Sequence, residues 1–245
     1  MSTNLYYLFV NLGCLIVPFL FSFHPKLQFY KKWKVFLLGV LAMMAIFIPW
    51  DMYFTSIGVW GFNPKYILGY YIGGIPVEEW LFFVCIPYAC LFTYHCFAIL
   101  LKQVPAPQLM KILVWLVMVS SFLIAAVFYN WAYTFTSHLL CGLFLAVHLF
   151  ILKSQYLTRF MFMYLVILIP FIACNGILTG LDFWKYPFLN FNPETVQDQI
   201  VWYDNNENLG LRLFSIPADD ISYGLTMLLL VITIYEALKK SYNLR

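Results

Sequence analysis

The chain alternates between seven long apolar runs and short polar breaks. The runs are roughly Leu5–Phe23, Trp33–Trp50, Val77–Leu101, Leu109–Tyr129, Tyr133–Leu152, Phe160–Thr179 and Ala218–Leu238. A helix needs about 20 apolar residues to cross a bilayer. Hydrocarbon offers no water to backbone groups, so such runs form helices. Pro18, Pro49, Pro87 and Pro170 fall inside or near the ends of spans and predict kinks. The expected fold is an all-α integral membrane protein with seven transmembrane helices. Met1, Ser2, Thr3 and Asn4 supply no basic n-region and no obvious cleavage site, so the first run reads as a retained helix.

Composition supports this reading. Of 245 residues, 63% are apolar and 10% are charged, against ~25% charged in soluble domains. Neither a soluble globule nor a disordered chain fits these values. The net charge of +3 is small and scattered, so nucleic acid is not an expected partner. Aromatics reach 21%, more than interfacial belts alone require. Cys14, Cys85, Cys90, Cys96, Cys141 and Cys174 all lie in apolar segments, with no CxxC, and read as small packing residues.

The loops sort by charge. Lys26, Lys31, Lys32, Lys34, Lys102, Lys111, Lys153, Arg159, Lys239, Lys240 and Arg245 fall on one side, while Lys65, Lys185 and Arg212 fall on the other. Basic residues near span ends mark the cytoplasmic face, so the N-terminus is expected outside and the C-terminus inside. The acids segregate oppositely. Asp51, Glu78, Glu79, Asp182, Glu194, Asp198, Asp204, Glu207, Asp219 and Asp220 lie at or beyond the outer ends of spans, and Glu236 lies inside. Topology does not require this clustering, which suggests chemistry at the outer face.

Two outer connections, about 51–76 and 180–217, are long, and they echo each other. Asp51 precedes Thr55 by four residues, as Asn175 precedes Thr179. Gly74-Ile75-Pro76-Val77-Glu78-Glu79 closes the first connection, and Ser215-Ile216-Pro217-Ala218-Asp219-Asp220 closes the second. A weaker echo precedes each unit, Lys26-Leu27-Gln28-Phe29 and Lys153-Ser154-Gln155-Tyr156. These matches predict two parallel three-helix repeats, 1–102 and 132–245, joined by a linking helix at 103–131. Both acidic motifs then lie at one face and can converge on one site.

A Pro-x-acid-acid motif has a structural reading: proline suits the first helical position, and carboxylates there complement the helix dipole. The motif also has a chemical reading. Trp80-Leu81-Phe82-Phe83-Val84 follows Glu79 directly, which puts the pair at the hydrocarbon edge, where ionisable groups are costly and often functional. A protonated carboxyl can donate a proton and its neighbour can receive one. Aromatic faces stabilise a passing cation by ~0.5–2 kcal/mol each. This combination suits carbocation chemistry on an alkene.

Other chemistries fit less well. His24, His95, His138 and His148 are too few and too dispersed for a histidine-rich di-iron site and read as packed residues. No G-x-G-x-x-G follows a strand, so no flavin or nicotinamide site is indicated. Spans 3 to 7 hold no mid-membrane lysine for retinal. Asp204-Asn205-Asn206-Glu207-Asn208 lacks the spacing of a diphosphate-binding motif and reads as a hydrated turn. No metal and no cofactor are expected.

Trp50-Asp51, then Gly58-Val59-Trp60-Gly61-Phe62-Asn63 and Pro76-Val77-Glu78-Glu79-Trp80-Leu81-Phe82-Phe83, resemble the first subunit of the non-flavin, heterodimer-type lycopene cyclases. Asn175-Gly176-Ile177-Leu178-Thr179-Gly180, Val201-Trp202-Tyr203, Glu207-Asn208-Leu209-Gly210 and Ile216-Pro217-Ala218-Asp219-Asp220 resemble the second. The chain is similar to the fused single-chain bacterial form. The resemblance implies an intramolecular lyase or isomerase of the bacterial inner membrane. It would close the ends of lycopene, or of other acyclic carotenoids, to β-ionone rings, giving β-carotene through γ-carotene with no net redox change.

By the motif match, Glu78 and Glu79 are the acid pair. Glu78 would protonate the terminal alkene with help from Glu79, and Asp219 or Asp220 would accept the ring proton or stabilise the cation. Asp219 stands where the family pattern favours Glu, which leaves its role open between base and structural group. Trp50, Trp60, Phe62, Trp80 and Trp202 are candidate cation-stabilising, substrate-binding residues, with Asp51 and Asn175 as polar candidates beside them; interfacial anchoring also explains the tryptophans. An extended carotenoid is about as long as the ~30 Å hydrocarbon core, so a single site would release γ-carotene transiently. Rival readings are a carotenoid-end hydratase, a small transporter and a carotenoid-binding protein. Oligomeric state is not legible.

Overall fold

A computed structural model describes residues 3–241, with side chains through residue 239. Arg245, counted in the charge bias, and Met1 and Ser2 of the N-terminal stretch lie outside the described residues, as does the side chain of Lys240. Among the described residues, seven helices are long and apolar enough to cross a membrane. They are α1 (Tyr6–Phe21), α2 (Trp33–Ser56), α3 (Val77–Leu100), α4 (Pro107–Val127), α5 (Ala132–Ala146), α6 (Leu157–Thr179) and α7 (Asp219–Ser241). A π-helical turn, Val147–Ile151, extends α5.

Pro18, Pro49, Pro87 and Pro170 all lie within helices. Proline is tolerated there because neighbouring groups in the membrane re-satisfy the freed carbonyls. At the end of α1 the Pro18 carbonyl accepts both the Ser22 backbone N–H (3.0 Å) and the Ser22 hydroxyl (2.7 Å).

The second helix differs from expectation. It runs on to Ser56, so Asp51 lies inside the helix and not at the start of a loop. The residues after Asp51 (Met52, Tyr53, Phe54) are apolar or aromatic and continue the turn, and Gly58, at φ +79, follows the end.

The chain folds as two compact units. Unit 1 comprises 1–100, 200–202 and 227–245; unit 2 comprises 101–199 and 203–226. In unit 1, α1 packs on α3, and α2 lies beside α3 and the inner part of α7. Gly39 makes the latter approach possible, since a Cβ there would meet the Val231 carbonyl at 3.2 Å. In unit 2, α4 packs on α5 and α6. Met110, Val114, Met118, Ser121 and Ala125 form its buried stripe at helical spacing, while Ile112, Leu116, Val119 and Leu123 face outward, as lipid contact requires.

The long outer connections carry short strands: β1 (Trp60–Phe62), β2 (Tyr71–Ile72), β3 (Ile75–Pro76), β4 (Leu189–Asn190), β5 (Val201–Tyr203), β6 (Arg212–Leu213) and β7 (Ile216–Pro217). In unit 1, β2 and β3 form an antiparallel hairpin, with Tyr71 opposite Pro76 and Ile72 opposite Ile75. In unit 2, β6 and β7 pair in the same register, Arg212 opposite Pro217 and Leu213 opposite Ile216, with β4 added on the outer edge of β6. Each hairpin feeds directly into a helix that starts with two acids.

Candidate functional site

In unit 1 the β2–β3 hairpin fixes the entry to α3. Gly73, at φ +63, makes the turn, and the Val77 N–H donates to the Tyr70 carbonyl at 2.9 Å. Glu78 and Glu79 therefore occupy the first turn of α3, where the helix dipole favours negative charge. Glu78 has no exposed surface. Its Oε1 accepts the Leu68 N–H at 2.6 Å, and its backbone carbonyl accepts from the Asn11 side-chain amide at 2.8 Å. Its Oε2 is buried and receives no hydrogen bond among the described residues. Glu79 accepts from the hydroxyl of Tyr7 on α1, and the Tyr7 ring stacks on Phe62 with centroids 6.5 Å apart.

Asp51 is also buried in unit 1. Its Oδ1 accepts the Trp60 indole N–H at 2.5 Å, while Oδ2 is buried with no hydrogen-bond partner among the described residues. Around this pair the rings of Phe47, Trp50, Phe54 and Trp60 form a chain, with successive centroids 5.5, 5.7 and 5.0 Å apart. Trp80 is half-buried and donates to the Ile72 carbonyl at 3.2 Å. Trp202 is 41% exposed and lies so close over Gly61 that a Cβ there would sit 2.4 Å from its ring. These two partly exposed tryptophans also suit the interfacial role.

Unit 2 builds its own acidic cluster. The Ala218 N–H donates to the Leu211 carbonyl at 2.9 Å, and Phe214 makes the hairpin turn at φ +58. Asp219 accepts from the Thr134 hydroxyl (2.7 Å) on one oxygen and from the Leu209 N–H (3.1 Å) on the other. Asp220 accepts from the Tyr133 hydroxyl on Oδ1, and from the Asn175 amide (2.7 Å) and the Tyr203 hydroxyl (3.3 Å) on Oδ2. The wiring matches that of unit 1. In each, the first acid takes a backbone N–H from the preceding connection, and the second takes a tyrosine hydroxyl from another helix.

The clusters differ in satisfaction and charge. In unit 2 every carboxylate oxygen of the pair has a donor. A fully buried guanidinium, Arg212, is also present. It donates to the Ser215 carbonyl and to Asn205, both at 2.7 Å, and lies over the Tyr203 ring at 5.8 Å. Burial lowers its pKa, while Tyr203, Asp220, Glu194 and Asp219 act in the opposite sense. Sequence inspection passed over Arg212 as a loop cation.

Sequence reading also gives no site role to Tyr7, Asn11, Tyr133 or Thr134, takes His138 as a packed residue, and meets Tyr203 only within the Val201-Trp202-Tyr203 motif. The available signal was that Tyr7 and Tyr133 each stand near the start of the first span of a proposed repeat. Among the described residues, no three His, Cys, Asp or Glu side chains gather to hold a metal ion.

Seven candidate spans, two of which begin with a buried acid pair, give the make-up of a polytopic membrane protein. Residues 4–97 and 130–238 match the lycopene cyclase family, and the chain belongs to that family, which is a family of enzymes. Two curated relatives are fungal proteins described as bifunctional lycopene cyclase/phytoene synthase. The one from Aspergillus niger is 31% identical over 75 residues, which is 31% of this chain and 13% of the relative. The one from Pyrenophora tritici-repentis is 31% identical over 90 residues, 36% of this chain and 15% of the relative. The matches thus span only a small part of those longer proteins. No solved structure matches the chain.

Proposed function

We propose that this chain is a lycopene β-cyclase of the fused, single-chain bacterial type. It acts on lycopene and other acyclic carotenoids dissolved in the cell membrane, with its N-terminus outside and its C-terminus in the cytoplasm. Residues 1–102 and 132–245 are the two three-helix repeats, and 103–131 is the helix that joins them. In the reaction a proton adds to the terminal alkene of the substrate. The resulting cation is attacked by a nearby double bond, a ring closes, and a proton leaves a carbon beside the new cation. One proton enters and one departs, so β-carotene forms through γ-carotene without redox change.

The observation that carries this reading is the environment of Glu78. Its side chain is fully buried, one oxygen is held by a backbone N–H, and the other has no donor among the described residues. A buried polar oxygen without a donor is costly, and such a group at the edge of the apolar layer is often kept for function. We assign Glu78 as proton donor and Glu79, held by Tyr7, as its assistant. Asp219 or Asp220 stands as proton acceptor or counter-ion to the cation. Trp50, Asp51, Trp60, Phe62, Trp80 and Trp202 in unit 1 and Asn175 in unit 2 are the proposed substrate-binding residues. Alkenes are very weak bases, so the barrier falls mainly through stabilisation of the cation by fixed charges and ring faces.

Expression in a lycopene-accumulating bacterium tests the reading. The extracted pigment is expected to turn from red to orange-yellow with unchanged mass, passing through a monocyclic intermediate. A product heavier by one water identifies a hydratase instead. Glu78→Gln is expected to leave the protein in the membrane and abolish conversion; full activity of that variant removes the assigned donor.

A further inference from the structure

The outward face of α4, in unit 2, carries a groove of about 380 Å³. Gln108, Lys111, Ile112, Trp115, Leu116 and Val119 line it. Their helical spacing keeps all six on one side of α4, clear of the stripe that Met110, Val114 and Met118 bury. The groove runs about 16 Å along the helix axis. It is polar only at the end formed by Gln108 and Lys111; the other four residues are apolar or aromatic, and all six are exposed. The Trp115 ring meets the Phe150 ring of the π-helical turn edge-on, with centroids 5.4 Å apart, which braces this part of the lining.

Charge decides what the groove fits. The contact of Trp115 with Phe150 puts the start of α4 beside the end of α5, and α6 begins after a short break, so it starts at this end as well. Lys111 and Lys153 are exposed here, and Arg159 lies in the first turn of α6. No acid of unit 2 shares this end. Asp182, Glu194, Asp198, Asp204 and Glu207 follow the far end of α6, and Asp219 and Asp220 meet Tyr133 and Thr134 at the start of α5. Neither α4 nor α6 has an acid in its first turn to answer the cations. The balancing anion therefore comes from outside the unit.

We propose that the groove binds one anionic phospholipid, its phosphate on Lys111 and Gln108 and one acyl chain laid along Ile112, Trp115, Leu116 and Val119. A phosphate oxygen accepts from both the ammonium and the side-chain amide, and the bond to the ammonium is charge-assisted. Basic pockets on membrane-spanning helices take such headgroups. A zwitterionic lipid fits less well, because it brings a further cation to an end that already holds three. A second copy of the chain fits less well too: it lies in the membrane the same way up, so a two-fold contact through this face sets Lys111 against Lys111. The site is independent of the cyclase reading.

The test places the full-length protein in nanodiscs of phosphatidylcholine. A minor share of the lipid carries brominated acyl chains, which quench indole fluorescence on contact, and is either phosphatidylglycerol or phosphatidylcholine. The Trp115 signal is the difference between wild type and Trp115→Phe. Brominated phosphatidylglycerol is expected to quench that signal about fivefold more effectively than brominated phosphatidylcholine, the preference that one interfacial lysine supports. Lys111→Gln is expected to bring the ratio close to one, and Lys111→Arg to retain it.

Equal quenching by the two lipids in the wild type overturns the proposal and leaves only unselective lipid contact. A preference that persists in Lys111→Gln overturns it as well, by assigning the effect to general surface charge. Trp115 shielded from both lipids points to a second copy of the chain on this face, and a preference abolished by inorganic phosphate at constant ionic strength points to a free-anion site; either result counts against a bound lipid. Native mass spectrometry of the wild type needs no variant: phosphatidylglycerol is expected to stay bound in preference to phosphatidylcholine, and equal retention of the two again overturns the proposal.

Discussion

Tyr7 and Tyr133 show how single side chains manage buried charge in this protein. Each gives its hydroxyl to the second acid of a pair, Glu79 and Asp220 respectively. Hydrogen bonds to charged groups are worth about 1.5–3 kcal/mol, but a carboxylate with several donors loses less when one is removed. Asp220 retains Asn175 and Tyr203 when the Tyr133 hydroxyl is gone. Tyr133→Phe is therefore expected to lower stability by about 1 kcal/mol in detergent unfolding. Tyr133→Phe combined with Asn175→Leu is expected to cost more than the sum of the single changes, because a buried carboxylate is then left poorly solvated. Simple additivity in that cycle is the outcome that contradicts the shared role of these donors.

The decisive element is the two-residue hairpin ahead of α3 and again ahead of α7. Identical register and identical backbone closure deliver two acids to the first helical turn in both units. The turn needs a left-handed residue, supplied by Gly73 in unit 1 and by Phe214 in unit 2. Phe214 bears this strain in contact with Phe183 and Phe188, with ring centroids 5.9 and 5.5 Å away. Gly73 has two reasons to be glycine, its φ of +63 and the Met52 side chain 2.4 Å from where a Cβ would stand. Gly210 has the same φ but open space around it. Gly210→Ala is expected to cost about 1–2 kcal/mol from backbone strain alone, and Gly73→Ala more. Thermal melts in detergent that reverse this order contradict the assigned contact.

For the whole molecule the proposed orientation rests on charge: the spans expected from sequence put most lysines and arginines on one side and most carboxylates on the other. Labelling of intact cells with a membrane-impermeant thiol reagent tests it. Asn206→Cys, in the exposed outer connection, is expected to react, and Lys111→Cys to react only after the cells are opened, each compared with the wild-type cysteines as background. The reverse pattern inverts the proposed topology and places the acid pairs at the cytoplasmic face.

The seven helices were legible without coordinates, because hydrocarbon forces each apolar run to satisfy its own backbone. The acidic motifs were legible as well, since a proline followed by two acids next to an aromatic run is a local signal. Helix length around Asp51 was misread because a polar residue near a span end looks like a boundary, whereas the indole of Trp60 lets the carboxylate remain inside the helix. Packing alone decided which groups meet the carboxylates. Tyr7 reaches Glu79 across 72 residues of sequence, and Tyr133 reaches Asp220 across 87. No periodicity records such distances; they exist only once helices lie side by side. The approach of Asp219 to His138, 3.8 Å from Nδ1, has the same origin, whereas the Thr134 carbonyl meets that ring from within α5 itself.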